Sequence, residues 1–191
     1  TRGLTAGGVN VLVGAMGPTP QLYYSVFSRR TAGGIQVTGS HNPADNNGFK
    51  MMIGERTLSG ADINDLAKRI KNQSQAGGAE QPAPGSVVEW DARSAYIEEL
   101  VRRSKDKISS AHKVKVVVDA GNGVGGLVGP EVLRRLGCEV IELYTEPDGR
   151  FPNHHPDPTE LENLEEIRET VVRTGADVGI AWDGDADRIG V

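Results

Sequence analysis

Ala176-Asp177-Val178-Gly179-Ile180-Ala181-Trp182-Asp183-Gly184-Asp185-Ala186-Asp187-Arg188 reads as a short buried strand that runs into a turn of carboxylates. Its apolar run is too short for a helix and rich enough in valine, isoleucine and tryptophan for a strand. The three aspartates that follow stand at every other position, separated by glycine and alanine, so they can converge without obstruction. Oxygen-only ligands of this kind suit a hard cation, Mg²⁺ first, with Mn²⁺ or Ca²⁺ also accommodated. An EF-hand loop also begins with alternating acids, but it requires glycine at its sixth position, where Arg188 stands, and a helix in front rather than a strand. A solvated acidic turn is the plainer alternative; three like charges this close repel unless something compensates them.

Working outward, Val114–Asp119 and Val140–Tyr144 are two further strands, with helices near Leu127–Leu136 and Leu161–Arg173 between them. Parallel strands joined by right-handed crossovers are the expected arrangement. Upstream, a helix over Arg93–Ile108 turns Tyr96, Ile97, Leu100 and Val101 inward. The stretch Asn72–Gly85 loses periodicity and gathers Gly, Gln, Ala and Pro, which predicts a linker. The chain is therefore expected to form two consecutive layered α/β domains with mixed, mostly parallel sheets, over residues 1–88 and 89–191. In the first, Val9–Ala15 is a strand. Pro18 and Pro20 suit the first turn of a helix to about Arg29, with Leu22, Tyr23, Val26 and Phe27 as its apolar stripe. Strands at Gly34–Val37 and Gly48–Ile53 follow, the second carrying Lys50. Ser59 then caps a helix whose Ile63, Leu66, Ala67 and Ile70 share a face.

The first domain's strand ends in Thr38-Gly39-Ser40-His41-Asn42-Pro43, which presents a serine on a sharp turn with its exit fixed by proline. This is not an esterase elbow, since G-x-S-x-G would need glycine where Asn42 stands. Two other signals compete. Gly121-Asn122-Gly123-Val124-Gly125-Gly126 satisfies G-x-G-x-x-G after a strand, with Glu139 and Glu142 about 20 residues on, as a dinucleotide fold requires. His154 and His155 suggest a metal site, but neighbours on an extended chain point to opposite sides, so a proline-punctuated surface loop is the better reading.

The serine loop and the Asp183–Arg188 loop together resemble those of the α-D-phosphohexomutases, in the bacterial phosphomannomutase/phosphoglucomutase branch. The resemblance extends to Pro18-Thr19-Pro20, Asn47-Gly48-Phe49-Lys50, Asp119-Ala120-Gly121-Asn122-Gly123 and Phe151–Pro158. It implies a phosphoserine enzyme that moves a phosphoryl group between the 1- and 6-positions of a hexose, mannose or glucose. Ser40 would carry the phosphoryl group. Asp183, Asp185, Asp187 and an oxygen of phospho-Ser40 would hold Mg²⁺, Arg188 would contact phosphate or brace the metal loop, and His41 and Lys50 would transfer protons or contact phosphate. Glucose 1,6-bisphosphate, or another hexose 1,6-bisphosphate, is the implied activator, and the full-length protein is expected to be a cytoplasmic monomer acting on a phosphosugar. Family members have four domains around one cleft, so the chain is expected to be a fragment, inactive alone, without the early arginine loop or the sugar- and phosphate-binding loops of the later domains. The opposing class is a nucleotide- or metal-binding α/β module without catalysis.

Composition narrows the partners. At 191 residues, 37% hydrophobic and 25% charged, the chain can bury a core and has no apolar run long enough to span a membrane. A net charge of −5 argues against a general nucleic-acid surface while leaving room for a local basic cluster around phosphate. Cys138, the single cysteine, rules out an internal disulfide and is expected to be a small buried residue.

Overall fold

The computed structural model describes residues 1–43, 45–73, 82–107 and 112–191. In chain order the elements are α1 (Arg2–Ala6), β1 (Val11–Gly14), α2 (Thr19–Arg29), β2 (Gly33–Val37), β3 (Phe49–Ile53), β4 (Arg56–Thr57), α3 (Gly60–Gln73), β5 (Val87–Trp90) and α4 (Ala92–Ser104). The second half continues with β6 (Lys115–Asp119), a 3₁₀ turn at Val124–Leu127, α5 (Gly129–Arg135), β7 (Glu139–Leu143), a 3₁₀ turn at Leu161–Leu164, α6 (Glu165–Thr174), β8 (Val178–Trp182) and β9 (Ile189–Gly190). Most of the expected linker, 74–81, lies outside the described residues, as does the end of the helix expected over 93–108.

The second half is a doubly wound sheet in the order β7-β6-β8-β9, parallel except for the last strand. Its centre is β6, where Val116, Val117 and Val118 are at most 2% exposed, rather than β8, whose residues are mostly half-buried. The period-2 alternation of β6 sends Val116 and Val118 toward α5 through Leu133, and Val117 toward Ile167 and Val171 of α6. The two crossovers thus cover opposite faces. The loops leaving the carboxyl ends of β6 and β8 therefore diverge, and a crevice opens between them. Register sets Asp119 opposite Ala181, so the β6 and β8 loops start side by side.

Several sequence expectations need correction. The helix expected over 127–136 divides at Val128 into a 3₁₀ turn and α5. Pro130 sits in the first turn of α5, where its missing N–H does no harm. The helix expected from Leu161 likewise starts as a 3₁₀ turn. Tyr144 leaves β7 with a left-handed φ of 51°. In the first half the β/α alternation is interrupted: β2, β3 and β4 form an antiparallel sheet, and β1 pairs in parallel with β5, a strand absent from the sequence expectations. On α2, Val26 is buried but Phe27 is 48% exposed, and on α3 Ile63 and Ile70 are also exposed. Ser59 stands in the N-cap position of α3, and Asp62 accepts from its amide. His154 is no free surface residue, because its Nε2 lies 2.9 Å from an oxygen of buried Asp119. Cys138 is buried, as expected.

Candidate active site at the serine and aspartate loops

The β2–β3 hairpin places two of the site residues. Its register pairs Gln36 with Lys50 and Val37 with Phe49, and the Thr38 amide donates to the Gly48 carbonyl at 3.0 Å, closing the base of the serine loop. Ser40 itself sits at φ 53°, a left-handed conformation that few non-glycine residues adopt. It is held there by its amide donating to Thr38 Oγ1 at 2.8 Å and by the Asn42 amide donating to the Gly39 carbonyl at 2.9 Å. Strain of this kind, of order 1–3 kcal/mol, persists only where the surroundings over-determine it, and it concentrates at functional sites.

The aspartate loop meets this hairpin across 143 and 145 positions of sequence. Ser40 Oγ lies 3.1 Å from Asp185 Oδ1, 3.3 Å from Asp183 Oδ2 and 3.3 Å from His41 Nδ1. A hydroxyl has one proton, so Ser40 Oγ can donate to only one of the two carboxylates at a time. Lys50 Nζ spans Asp185 Oδ2 at 2.7 Å and Asp187 Oδ2 at 2.5 Å. Arg188 Nε and Nη2 both donate to Asp183 Oδ2, at 3.0 and 2.8 Å, and Nη2 also donates to His41 Nδ1. That contact makes Nδ1 an acceptor. Arg188 Nη1 is 3.8 Å from Asp157. Every site residue expected from sequence therefore lies in one cluster.

Burial and charge set the protonation tendencies. Asp183, fully buried, has its carboxyl pushed up by burial and by the neighbouring charge of Asp185, against the opposing hydrogen bonds of Arg188. For Asp185 burial works the same way, but the Lys50 ammonium and the Thr19 and Ser40 hydroxyls outweigh it and hold the carboxyl low. Burial alone would lower the Lys50 ammonium; its bonds to Asp185 and Asp187 raise it instead.

Among the described residues, oxygens of Asp183, Asp185 and Asp187 all lie within 4.8 Å of one another. Opposite ligands of an octahedral magnesium are about 4.2 Å apart, twice a bond of about 2.1 Å. The all-oxygen donor set suits a hard divalent cation, and a separation of up to 4.8 Å asks the carboxylates to draw in slightly around one as small as magnesium. A cleft of about 420 Å³ adjoins the cluster, lined by Thr38, Gly39 and Ser40 from one side and Asn122, Gly123 and Phe151 from the other.

The glycine-rich loop serves this cluster rather than a pyrophosphate. The Gly123 amide donates to the Ala120 carbonyl and the Val124 amide donates to the Gly184 carbonyl at 3.0 Å, so both are taken. A Cβ on Gly125 would press on the Trp182 ring at 3.1 Å. The loop is fixed from below by Asp119, which accepts from the Gly121 amide and binds His154, and by Asn122, whose side chain joins Glu146 and Asn153.

Sequence reasoning missed two members. Thr19 donates to Asp185 Oδ2 at 2.5 Å and is completely buried. Asp157 stands behind Arg188. Thr19 lies in the Pro18-Thr19-Pro20 triplet, whose only local signal is the opening of a helix.

Two family models match the chain: phosphoglucomutase/phosphomannomutase α/β/α domain I over residues 1–77 and domain II over 94–191. The phosphomannomutase/phosphoglucomutase of Pseudomonas syringae pv. tomato is 44% identical over 190 residues, covering 100% of this chain and 39% of its own length. The phosphoglucomutase of Neisseria gonorrhoeae is 43% identical over 190 residues, covering 100% of this chain and 40% of its own. In the crystal structure of a phosphoglucomutase/phosphomannomutase family protein from Burkholderia thailandensis, 98% of this chain superposes on 41% of that one, with a TM-score of 0.87 and 41% identity. The chain thus spans about two fifths of the length of these relatives. With two domain models matched in order and the serine and aspartate loops brought together, the chain belongs to the phosphoglucomutase/phosphomannomutase family of α-D-phosphohexomutases.

Proposed function

We propose that this chain supplies the phosphoserine and metal loops of a phosphohexomutase that interconverts hexose 1-phosphate and hexose 6-phosphate, with mannose or glucose as the sugar. The observation that carries this reading is the approach of Ser40 Oγ to within 3.1–3.3 Å of Asp185 and Asp183 from a distant part of the chain. A serine hydroxyl is a weak nucleophile unless activated, so a group already on the oxygen suits this site better than attack by a free hydroxyl. In the resting enzyme Ser40 carries the phosphoryl group. As its P–Oγ bond breaks, a P–O bond forms to the free hydroxyl of the sugar monophosphate, whose proton passes to a base. His41, beside Ser40 Oγ, is the candidate for that base once Arg188 turns from its Nδ1 to substrate phosphate. The hexose 1,6-bisphosphate turns over in the site and returns its other phosphoryl group to Ser40, so no phosphate is consumed.

Phosphoryl transfer is catalysed chiefly by positioning and by neutralising charge. Asp183, Asp185, Asp187 and phospho-Ser40 are the residues that would hold Mg²⁺, which when bound offsets charge on the transferred group. Lys50 contacts the phosphoryl group from the β3 side. Arg188 braces Asp183 and turns His41 through Nδ1, and is the group on this loop that reaches substrate phosphate. Glucose 1,6-bisphosphate phosphorylates an empty Ser40. The longer protein works as a cytoplasmic monomer without nucleic-acid or membrane partners; among the described residues no helix is long and apolar enough to cross a membrane. The chain is organised as two units, residues 1–88 carrying the serine loop and residues 89–191 carrying the aspartate loop. These 191 residues alone are expected to lack turnover, because the relatives carry most of their length outside the matched region. Phosphopeptide mapping of the full-length protein, before and after glucose 1,6-bisphosphate with Mg²⁺, tests the reading. Phosphate on Ser40 supports it, and a bare Ser40 under every condition refutes it.

A further inference from the structure

Thr19 is the first residue of α2, and its side chain has no solvent exposure. It makes two bonds to one residue 166 positions away. Its amide donates to the Asp185 carbonyl at 2.9 Å and its hydroxyl donates to Asp185 Oδ2 at 2.5 Å. The amide bond satisfies a donor that a helix N-terminus otherwise leaves orphaned. Pro20 brings no N–H and the Gln21 amide turns back to the Pro18 carbonyl, so the opening of α2 is committed to Asp185 through Thr19.

The hydroxyl decides how the Asp185 carboxylate is turned. Oδ2 accepts from Thr19 and from Lys50, while Oδ1 faces Ser40 Oγ at 3.1 Å. Lys50 alone would not fix that orientation, because its ammonium also holds Asp187 and can follow either carboxylate. A hydroxyl on a buried helix end has no such freedom. We infer that Thr19 is a positioning residue for the divalent cation: by taking Asp185 Oδ2 it keeps Oδ1 turned toward Ser40 and joins the first unit to the aspartate loop. This inference rests on the proposal that Asp183, Asp185 and Asp187 hold the ion. Hydrogen-bond partners that orient metal ligands typically change metal affinity by about 10–100-fold when removed.

The test uses the dephosphorylated full-length protein and Mn²⁺ alone, with free ion followed by electron paramagnetic resonance and folding by thermal melting. Thr19→Val keeps the shape and removes the donor, and is expected to weaken Mn²⁺ binding about tenfold or more. Thr19→Ser keeps the donor and should bind within about threefold of the parent. In an Asp185→Asn background, Thr19→Val should add less than about twofold, because its effect passes through that carboxylate. Unchanged Mn²⁺ affinity in folded Thr19→Val overturns the inference, as does a tenfold loss that persists with Asp185→Asn. Should Thr19→Val fail to fold, the serine variant decides: a loss of tenfold there assigns Thr19 to packing. A parent protein that binds no Mn²⁺ refutes the metal reading and the inference with it, whereas a binding parent with an equally binding folded Thr19→Val refutes the inference alone.

Discussion

Gly123→Ala is the perturbation that most directly asks whether the glycine-rich loop sets the height of the aspartate loop. A Cβ on Gly123 would lie 2.7 Å from the Gly184 carbonyl oxygen, 2.9 Å from Gly184 Cα and 3.0 Å from the Ala120 carbonyl oxygen. All three are backbone atoms, so no side chain can rotate away. Carbon–oxygen contacts in proteins settle at about 3.3 Å or more, so the two loops must part by about 0.6 Å. Gly184 cannot yield freely, because the Ser40 backbone crowds it so closely that a Cβ there would lie 2.2 Å from the Ser40 carbonyl oxygen. The displacement therefore passes into the separation between Ser40 and the carboxylates, now 3.1–3.3 Å. Overpacking of this kind costs about 1–3 kcal/mol of stability. A misplacement of about 1 Å costs about a hundredfold in rate, so 0.6 Å should cost about tenfold or somewhat more. In the full-length protein, assayed for conversion of glucose 1-phosphate to glucose 6-phosphate, the variant should stay folded and turn over at about a tenth of the parent rate. Gly149→Ala, on the same cleft but with open space where the new methyl group would sit, serves as the control and should be near neutral. Full turnover by Gly123→Ala would show that the contact does not transmit to the chemistry.

Three further expectations follow from the same geometry. Ser40→Ala removes the proposed phosphoryl carrier and should abolish turnover of the full-length protein while leaving its stability within about 1 kcal/mol of the parent; retained turnover contradicts the assignment. Val117→Ala removes two methyl groups from a position with no exposure, packed against Ile167 and Ala181, and should lower stability by about 2 kcal/mol in urea unfolding. A loss below about 0.5 kcal/mol would deny that β6 is the core. For His154 the sign is set by Asp119: the hydrogen bond to that carboxylate outweighs burial and raises the imidazole above its ordinary 6.5. Its stabilisation is therefore complete below the unfolded value and is lost as pH rises through the folded one. Urea midpoints of parent and His154→Asn should converge as pH climbs from about 6 toward about 9, and a difference constant across that range refutes the pairing.

Much of the second half was legible because its signals are local. Val116–Val118 is a continuous apolar run in the middle of the sheet, and the strands flanking it repeat the pattern at spacings that admit a helix each. The first half was less legible for a physical reason. β5 is four residues long and keeps Val87 and Val88 more than half exposed, so it lacks the alternation that marks a half-buried strand. Helical period alone turns Phe27 and Ile70 inward, and period says which residues share a face without saying that a partner covers it.

The site divides along the same line. Ser40, Asp183, Asp185 and Asp187 announce themselves because the phosphoryl and cation chemistry proposed for them demands particular side chains on tight turns, and the small glycine and alanine spacers are visible in the sequence. Thr19, Asp157 and the Asp119–His154 pair do not, since each acts by a contact over 31 to 166 positions through a side chain that is ordinary in its own neighbourhood. What a single sequence displays is the set of groups able to do the chemistry. What turns those groups toward one point is bonding between loops: Val124 to Gly184, Thr19 to Asp185, Arg188 to His41. Each of these joins an element whose own fold is already secure to one whose position would otherwise drift. Substitutions in this supporting layer should therefore act on rate and ion affinity more than on stability, the reverse of substitutions in β6, and Gly123→Ala set against Val117→Ala measures that contrast directly.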